Sequence, residues 1–307
     1  MNKIVHLTRS EINLLKWDKC ISSAFNGIVY GYSWYLDTVS EGWEALVEGD
    51  YERVMPLTQK QKYNIPYLAQ PPFCQQTGIF SATKLNNEII NNFLDAIPEK
   101  YKLIEIQLNK YNLVNHSQFK VSEGITYELD LSPSYYVLNQ YFSTNTIRNI
   151  KKALQSELEI VKGVAPNDAL ELLRNSDDRR RKLLKEHHFS MLRRLMTFSL
   201  QHRFGEIYGI YGGEGHQLCA SAFFIQSHNR VIYLNAVSNE FGKKSCAMFL
   251  LIDTFLQHNT EKNLTLDFEG SKVEGIARFY ASFGAKPYIY PCIKQNHLAW
   301  YLRIFKK

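Results

Sequence analysis

Two carboxylates near the carboxyl end of the chain are the side chains best placed to do chemistry. Residues 264–270, LTLDFEG, read as an apolar strand that ends in Asp267 and Glu269. Alternation along a strand puts both carboxylates on one face, about 7 Å apart, with Phe268 on the other. Open α/β sheets gather ligands at the carboxyl ends of their strands. There such a pair can hold an amine and accept its proton, and Glu269 is the preferred base. The competing reading is a helix cap with a surface ion pair, because Glu269 and Ser271 precede a helix.

A second candidate is the glycine turn before the helix at residues 243–259. Gly242, Lys243, Lys244 and Ser245 could present backbone N–H groups and ammonium charge to a phosphate. Glu240 opposes that, and a helix that starts after a glycine is the bland alternative. Cys246 opens the same helix. With no histidine in sequence reach to activate it, it is not expected to be a nucleophile.

In the first half, Gln70, Gln75 and Gln76 flank Phe73 and Cys74 beside the rigid Pro71-Pro72 pair. They suit substrate recognition, or else brace a structural loop. The run Arg179–Lys182, with Lys185, Arg193 and Arg194, makes a basic helical face for tRNA or phospholipid, or a solvated surface. His187 and His188 lack a further ligand at metal spacing, so no metal is expected, and His188 reads as a core histidine. Trp34, Tyr35 and Trp43 read as core.

The elements that must position these residues fall into two similar series. A chain of 307 residues, 45% hydrophobic, has room for two domains of roughly 150 residues, each with its own core. In the first half, residues 43–50 and 51–59 form a hairpin around Gly49-Asp50, followed by the strand IPYLAQ. A helix then carries Ile90, Phe93, Leu94 and Ile97 at helical spacing until Pro98, and KLIEIQL is the next strand.

The second half repeats the order. FGEIYGIYG and QLCASAFFIQ flank a glycine turn, and RVIYLNAVS is the next strand. A helix follows with Met248, Leu251, Ile252 and Phe255 on one stripe, then LTLDFEG, the helix VEGIARFYASF and the strand PYIYPCI. Between the halves lie a helix with Ile147, Ile150 and Leu154 on one face, and a longer one with Leu184, His188, Met191, Leu195 and Phe198. This pattern predicts a mixed α/β fold laid down twice, with domains at residues 1–138 and 139–307.

Composition narrows the setting. The start lacks the apolar stretch of a secretory signal, and no run reaches the ~20 apolar residues of a membrane helix. Five cysteines without paired spacing fit reduced thiols, so a cytoplasmic protein is expected. A net charge of +6 suits polyanionic partners such as CoA phosphates, tRNA or an anionic lipid.

The stretch LDFEGSKVEGIARFYASFGAKPYIY resembles the end of tandem GNAT transferases of the Fem type, which add amino acids to peptidoglycan precursors. The matching positions are Asp267, Gly270, Phe279, Tyr280, Phe283 and Gly284. The segment TIRNIKKAL, preceded by YELDLS, is similar to that family's entry into its second domain, through Arg148, Lys152 and Ala153. The likeness runs from Trp34 to Tyr290 by pattern rather than identity.

It implies two GNAT-like domains and an N-acyltransferase with its active site in the second. Aminoacyl-tRNA or acyl-CoA would be a co-substrate rather than a resident cofactor. The acceptor would be an amine, of a small molecule or a cell-envelope precursor. Substrate contacts would come from Arg148 and the loop glutamines. Tyr280, four residues before Gly284, stands where an acetyltransferase tyrosine meets the leaving group, or it simply packs beside Phe279 and Phe283. Backbone N–H groups near Ala236 to Ser238 would face the acyl carbonyl.

Two departures stand out. No segment is long enough for the coiled-coil arm of the tRNA-reading members, and Tyr280 replaces their frequent lysine. A plain acetyl-CoA-dependent N-acetyltransferase and a tandem GNAT binding protein without chemistry are the alternatives.

Overall fold

Strand alternation and helix caps account for most of the elements seen in the computed structural model, which describes residues 2–177, 181–270 and 273–300. The chain divides into two compact units, residues 1–125 with 289–307, and residues 126–288.

The first unit opens with β1 (Ile4–Leu7), α1 (Leu14–Ser23) and α2 (Ser33–Val39). The hairpin β2 (Glu44–Glu48) and β3 (Arg53–Leu57) follows, turning where Gly49 and Tyr51 take positive φ. Next come β4 (Gln59–Lys62), β5 (Ile65–Ala69), β6 (Phe80–Ser81), α3 (Asn87–Asp95) and β7 (Leu103–Gln107). One sheet has the order β1-β2-β3-β6 and is antiparallel. In the other, β5 and β7 are parallel, so α3 makes a crossover between them.

Asn86 caps α3 through its side chain, and Ile90, Phe93 and Leu94 are buried as their spacing predicts. They pack against Leu46, Met55, Leu68 and Ile104. Tyr35 and Trp43 are fully buried, whereas Trp34 is half-buried.

β8 (Lys120–Asp130) crosses into the second unit at Thr126. There follow α4 (Tyr135–Asn139), α5 (Thr144–Leu154), β9 (Glu159–Lys162), α6 (Pro166–Arg174) and α7 (Glu186–Gln201). The meander β10 (Gly205–Gly212), β11 (Gln217–Ser227) and β12 (Arg230–Ser238) leads into α8 (Glu240–Lys244) and α9 (Ala247–Asn259). β13 (Thr265–Asp267) and α10 (Glu274–Ala281) complete this unit.

The strand order within this unit is β8-β13-β12-β11-β10-β9. β12 and β13 are parallel, with the α8–α9 crossover between them. The core gathers Tyr208, Phe224, Leu251, Phe255, Phe268 and Phe283. The last strand, β14 (Lys286–Asn296), returns to the first unit, where Cys292–Asn296 pair with β7.

Several details differ from the sequence reading. The units divide at 125/126 and 288/289 rather than at 138/139. The reason is strand pairing: Glu128, Leu129 and Asp130 pair with β13, and the end of β14 pairs with β7, which hydropathy cannot reveal. The helix expected over 243–259 is broken at Ser245 and Cys246, where Cys246 takes φ +60.

On α5 the buried residues are Thr146, Ile150 and Ala153, and Leu154 is exposed. The longer helix starts only at Glu186, because the His188 ring nitrogen accepts the Lys185 N–H and caps it there. Its buried stripe is Phe189, Leu192, Leu195 and Met196, one step around from the expected one. His188 is therefore a half-buried capping residue rather than a core histidine.

Candidate active site

The site forms where two parallel strands stop pairing. β12 pairs with β13 only through Arg230, Val231 and Ile232. β13 ends at Asp267, while β12 runs on to Ser238. Along β11 the register jumps so that Phe224 faces Tyr233 and Phe223 faces Asn235, leaving Leu234 as the extra residue of a bulge. A bulge bends its strand and re-aims the side chains around it. Beyond the last β13 pair lies a cavity of about 360 Å³. One wall is Tyr233, Ala236, Val237 and Ser238 of β12. The opposite wall is Gly275, Ile276, Phe279 and Tyr280 around α10.

Helical spacing gives α10 its role. Ile276, Phe279, Tyr280 and Phe283 share a face, and Phe283 is wholly buried beneath it. Tyr280 is 7% exposed and lines the cavity, so it is neither a surface residue nor sealed away. Its ring stacks on Phe268 at 4.9 Å and meets Tyr233 edge-on at 6.1 Å. The Tyr233 hydroxyl donates to the Met248 sulfur at 3.1 Å.

The turn before α8 is occupied with its own caps. The Asn239 side chain accepts the Gly242 N–H at 2.8 Å, and the Ser245 hydroxyl donates to the Phe241 carbonyl at 2.9 Å. Lys243 pairs with Glu240 at 2.7 Å, and Lys244 is exposed. Of the four residues expected to cradle phosphate, Gly242 and Lys243 line the cavity. Gly242 has a packing reason to be glycine: a Cβ there would lie 2.3 Å from the Cys219 carbonyl oxygen of β11. α9 starts differently, at Cys246, with no side-chain cap, and Cys246, Met248 and Phe249 line the cavity.

The two carboxylates are not equivalent. Asp267 is 1% exposed and accepts from Arg230 at 2.7 Å, Thr126 at 2.5 Å and the Glu269 N–H at 2.9 Å. Arg230 also donates to the buried Glu128 at 2.8 Å. Burial works against the Arg230 charge, but the carboxylates of Asp267 and Glu128 outweigh it and raise its pKa above the ordinary arginine value. Glu269 is half-buried and sits at φ +58, a conformation that strains a residue with a side chain. Two bonds hold it there: its N–H to Asp267, and the Tyr127 N–H to its carbonyl at 3.1 Å. Asp267 thus fixes the turn that presents Glu269.

The loop glutamines belong to the first unit. Gln70 donates to the Cys74 carbonyl and accepts the Gln107 N–H, while Gln76 donates to Gln75 and accepts the Lys110 N–H. Their amides brace the loop. Arg148 is exposed on α5 and donates to Asn145. Of the basic run, Arg179 and Arg180 lie outside the described residues; Lys185, Arg193 and Arg194 are exposed. Sequence reasoning missed Tyr233, Met248 and Arg230, which carried no motif. The Tyr at the strand centre looked like ordinary core.

No family model and no curated protein sequence matches the chain. Among solved structures, FemX superposes with a TM-score of 0.67 at 14% identity, over 94% of this chain and 96% of that one. A tandem GNAT protein from the clavulanic acid biosynthesis pathway gives 0.56 at 10% identity, over 95% and 98%. L-PGS from Bacillus licheniformis gives 0.52 at 10%, over 86% and 87%. The chain has a mixed α/β fold that resembles those of FemX and of the tandem GNAT protein. At such identities the likeness is one of fold. No helix among the described residues is long and apolar enough to cross a membrane.

Proposed function

We propose that the chain is an N-acyltransferase made of two GNAT-like modules, with its active site in the unit spanning residues 126–288. The observation that carries this is the cavity where β12 parts from β13, with the Tyr280 phenol on its wall. The parallel crossovers β5–α3–β7 and β12–α9–β13 support a module used twice.

The donor is an activated acyl group, either the thioester of an acyl-CoA or the ester of an aminoacyl-tRNA. The acceptor is an amine of a small molecule or, following the Fem-type resemblance, of a cell-envelope precursor. The amine nitrogen attacks the acyl carbonyl carbon, forming the C–N bond. The bond to the leaving sulfur or oxygen then breaks. Glu269, directly or through water, takes the proton the amine loses, and Tyr280 gives one to the leaving group. Backbone N–H groups at Ala236–Ser238, beside the bulge, face the carbonyl oxygen as negative charge develops there. Asp267 acts through Glu269 rather than on the substrate.

The self-capped turn at Asn239–Ser245 supports a donor held mainly at the start of α9 rather than by Gly242, Lys243, Lys244 and Ser245 as a phosphate cradle. Exposed Lys185, Arg193 and Arg194 are the proposed contact if that donor is tRNA. The test incubates the protein with acetyl-CoA or a charged aminoacyl-tRNA and a panel of amino acids, amino sugars and lysine-bearing envelope precursors. Mass spectrometry reads the amide product. An amide from either donor, lost in Tyr280→Phe, supports the reading. Failure of both donors to bind by calorimetry and to yield any amide overturns it.

A further inference from the structure

The character of the cavity says more about the transferred group than about the rest of the donor. Its lining includes Tyr233, one residue beyond the last β12–β13 pair at Ile232, and Met248 of α9. Its flanks are Phe249, Ile276 and Phe279, with the stacked Tyr280 ring between them. Among the described lining residues the charged side chain is Lys243, which is exposed and paired with Glu240. No carboxylate lines this space among those residues. The Tyr233 hydroxyl in this lining donates to a thioether, a soft and weak acceptor.

Resting on the acyltransferase reading, we propose that this cavity selects an uncharged, apolar acyl group, with Tyr233 and Met248 as the floor that sets its length. An α- or ω-ammonium carried inside would lose its water and meet aromatic and aliphatic walls with no carboxylate opposite. A carboxylate would fare no better, because Lys243 is exposed and already paired with Glu240. An unpaired charge buried there is disfavoured, whereas each methylene buried against these walls adds to binding. A volume of about 360 Å³ falls in the range of sites for small organic ligands. The acceptor amine then enters from the side of Glu269, which is not among the cavity-lining residues, so the charged and apolar partners keep separate approaches.

The experiment compares three thioesters of one length on a short N-acetylcysteamine carrier: hexanoyl, 6-aminohexanoyl and the monothioester of adipic acid. Binding is read by calorimetry and transfer by amide formation with the amine panel. The hexanoyl thioester should exceed both charged ones by about 100-fold in affinity and in kcat/KM. Met248→Ala should move the optimum to longer chains, and Ala236→Leu, checked for folding by circular dichroism, should move it to shorter ones. Equal or better use of a charged thioester overturns the selectivity while leaving the acyltransferase reading intact. Chain-length profiles unchanged in both variants overturn the assignment of the floor. If no thioester binds or reacts, in a protein that also fails with acetyl-CoA and aminoacyl-tRNA, the acyltransferase reading falls as well.

Discussion

The Tyr280 ring lies over the Phe268 ring, centroids 4.9 Å apart and planes 22° from parallel. Phe268 stands between Asp267 and Glu269, so this stack couples the end of β13 to the helix that carries the phenol. Its geometry separates two roles of one residue. Tyr280→Phe keeps the stack and deletes the hydroxyl. It should lower kcat by about 10² to 10³, the range of one proton-transfer group, while unfolding free energy changes by about 1 kcal/mol or less. Steady-state kinetics beside a urea titration check this. A large loss of stability with kcat unchanged would assign the tyrosine to packing alone.

The buried charge cluster predicts the opposite pattern. Arg230 is shared by Glu128 and Asp267, both nearly inaccessible. Arg230→Met removes the guanidinium that both buried carboxylates share and should cost roughly 3–5 kcal/mol of stability. Arg230→Lys should recover only part, because one ammonium cannot reproduce the geometry of the guanidinium. Denaturant midpoints for the two variants decide it. An Arg230→Met protein as stable as the parent would mean these carboxylates are not the anchor of β13.

The same cluster explains how far the sequence could be read. Alternation and helical spacing located β2, β3, β5, β7, β10 to β13, α3, α9 and α10, because each buries one face of a regular element. They could not show that β8 and β14 pair across the sequence midpoint, since pairing is a long-range property. Asp267 and Glu269 were visible as a pair, yet their difference in role was not. It arises from Arg230, 37 positions earlier in the chain, and from the positive φ of Glu269. Tyr280 and Gly242 stand in local motifs, and both line the cavity. Tyr233 and Met248 were hidden because a cavity wall and a core face have the same hydropathy. Gln70, Gln75 and Gln76 read as recognition amides; their hydrogen bonds run to backbone groups, to the Cys74 thiol and to one another.

Gly242 offers a test of packing at the cavity wall. The Cβ of Gly242→Ala would sit 2.3 Å from the Cys219 carbonyl oxygen, and a backbone atom cannot turn aside as a side chain does. α8 must lift from β11, at a cost of about 1–3 kcal/mol. The cavity wall at Gly242 should shift with it, weakening donor binding about tenfold or more. Calorimetry against the best thioester, with thermal unfolding in parallel, reads both. For the unfolding measurement alone Gly275→Ala is the control, because a Cβ there meets nothing within 4 Å.

Glu44 makes the first unit sensitive to acid. Its carboxylate is buried and accepts from Lys100 at 2.7 Å, Tyr101 at 2.5 Å and His6 at 2.5 Å. Burial alone would raise its pKa, but these hydrogen bonds and the Lys100 charge outweigh burial and bring it below the ordinary 4.5. A carboxyl whose folded pKa is depressed binds fewer protons in the native state than in the unfolded chain. Its stabilisation is therefore complete above about pH 4.5 and is lost as pH falls through the lowered value. Glu44→Gln should cost about 1–3 kcal/mol at pH 7, where it leaves Lys100 without its charge partner. The difference between parent and variant should then shrink between about pH 5 and pH 3. Urea unfolding followed across that interval measures it, and a difference that stays constant with pH would show that the Glu44 charge does not stabilise the fold.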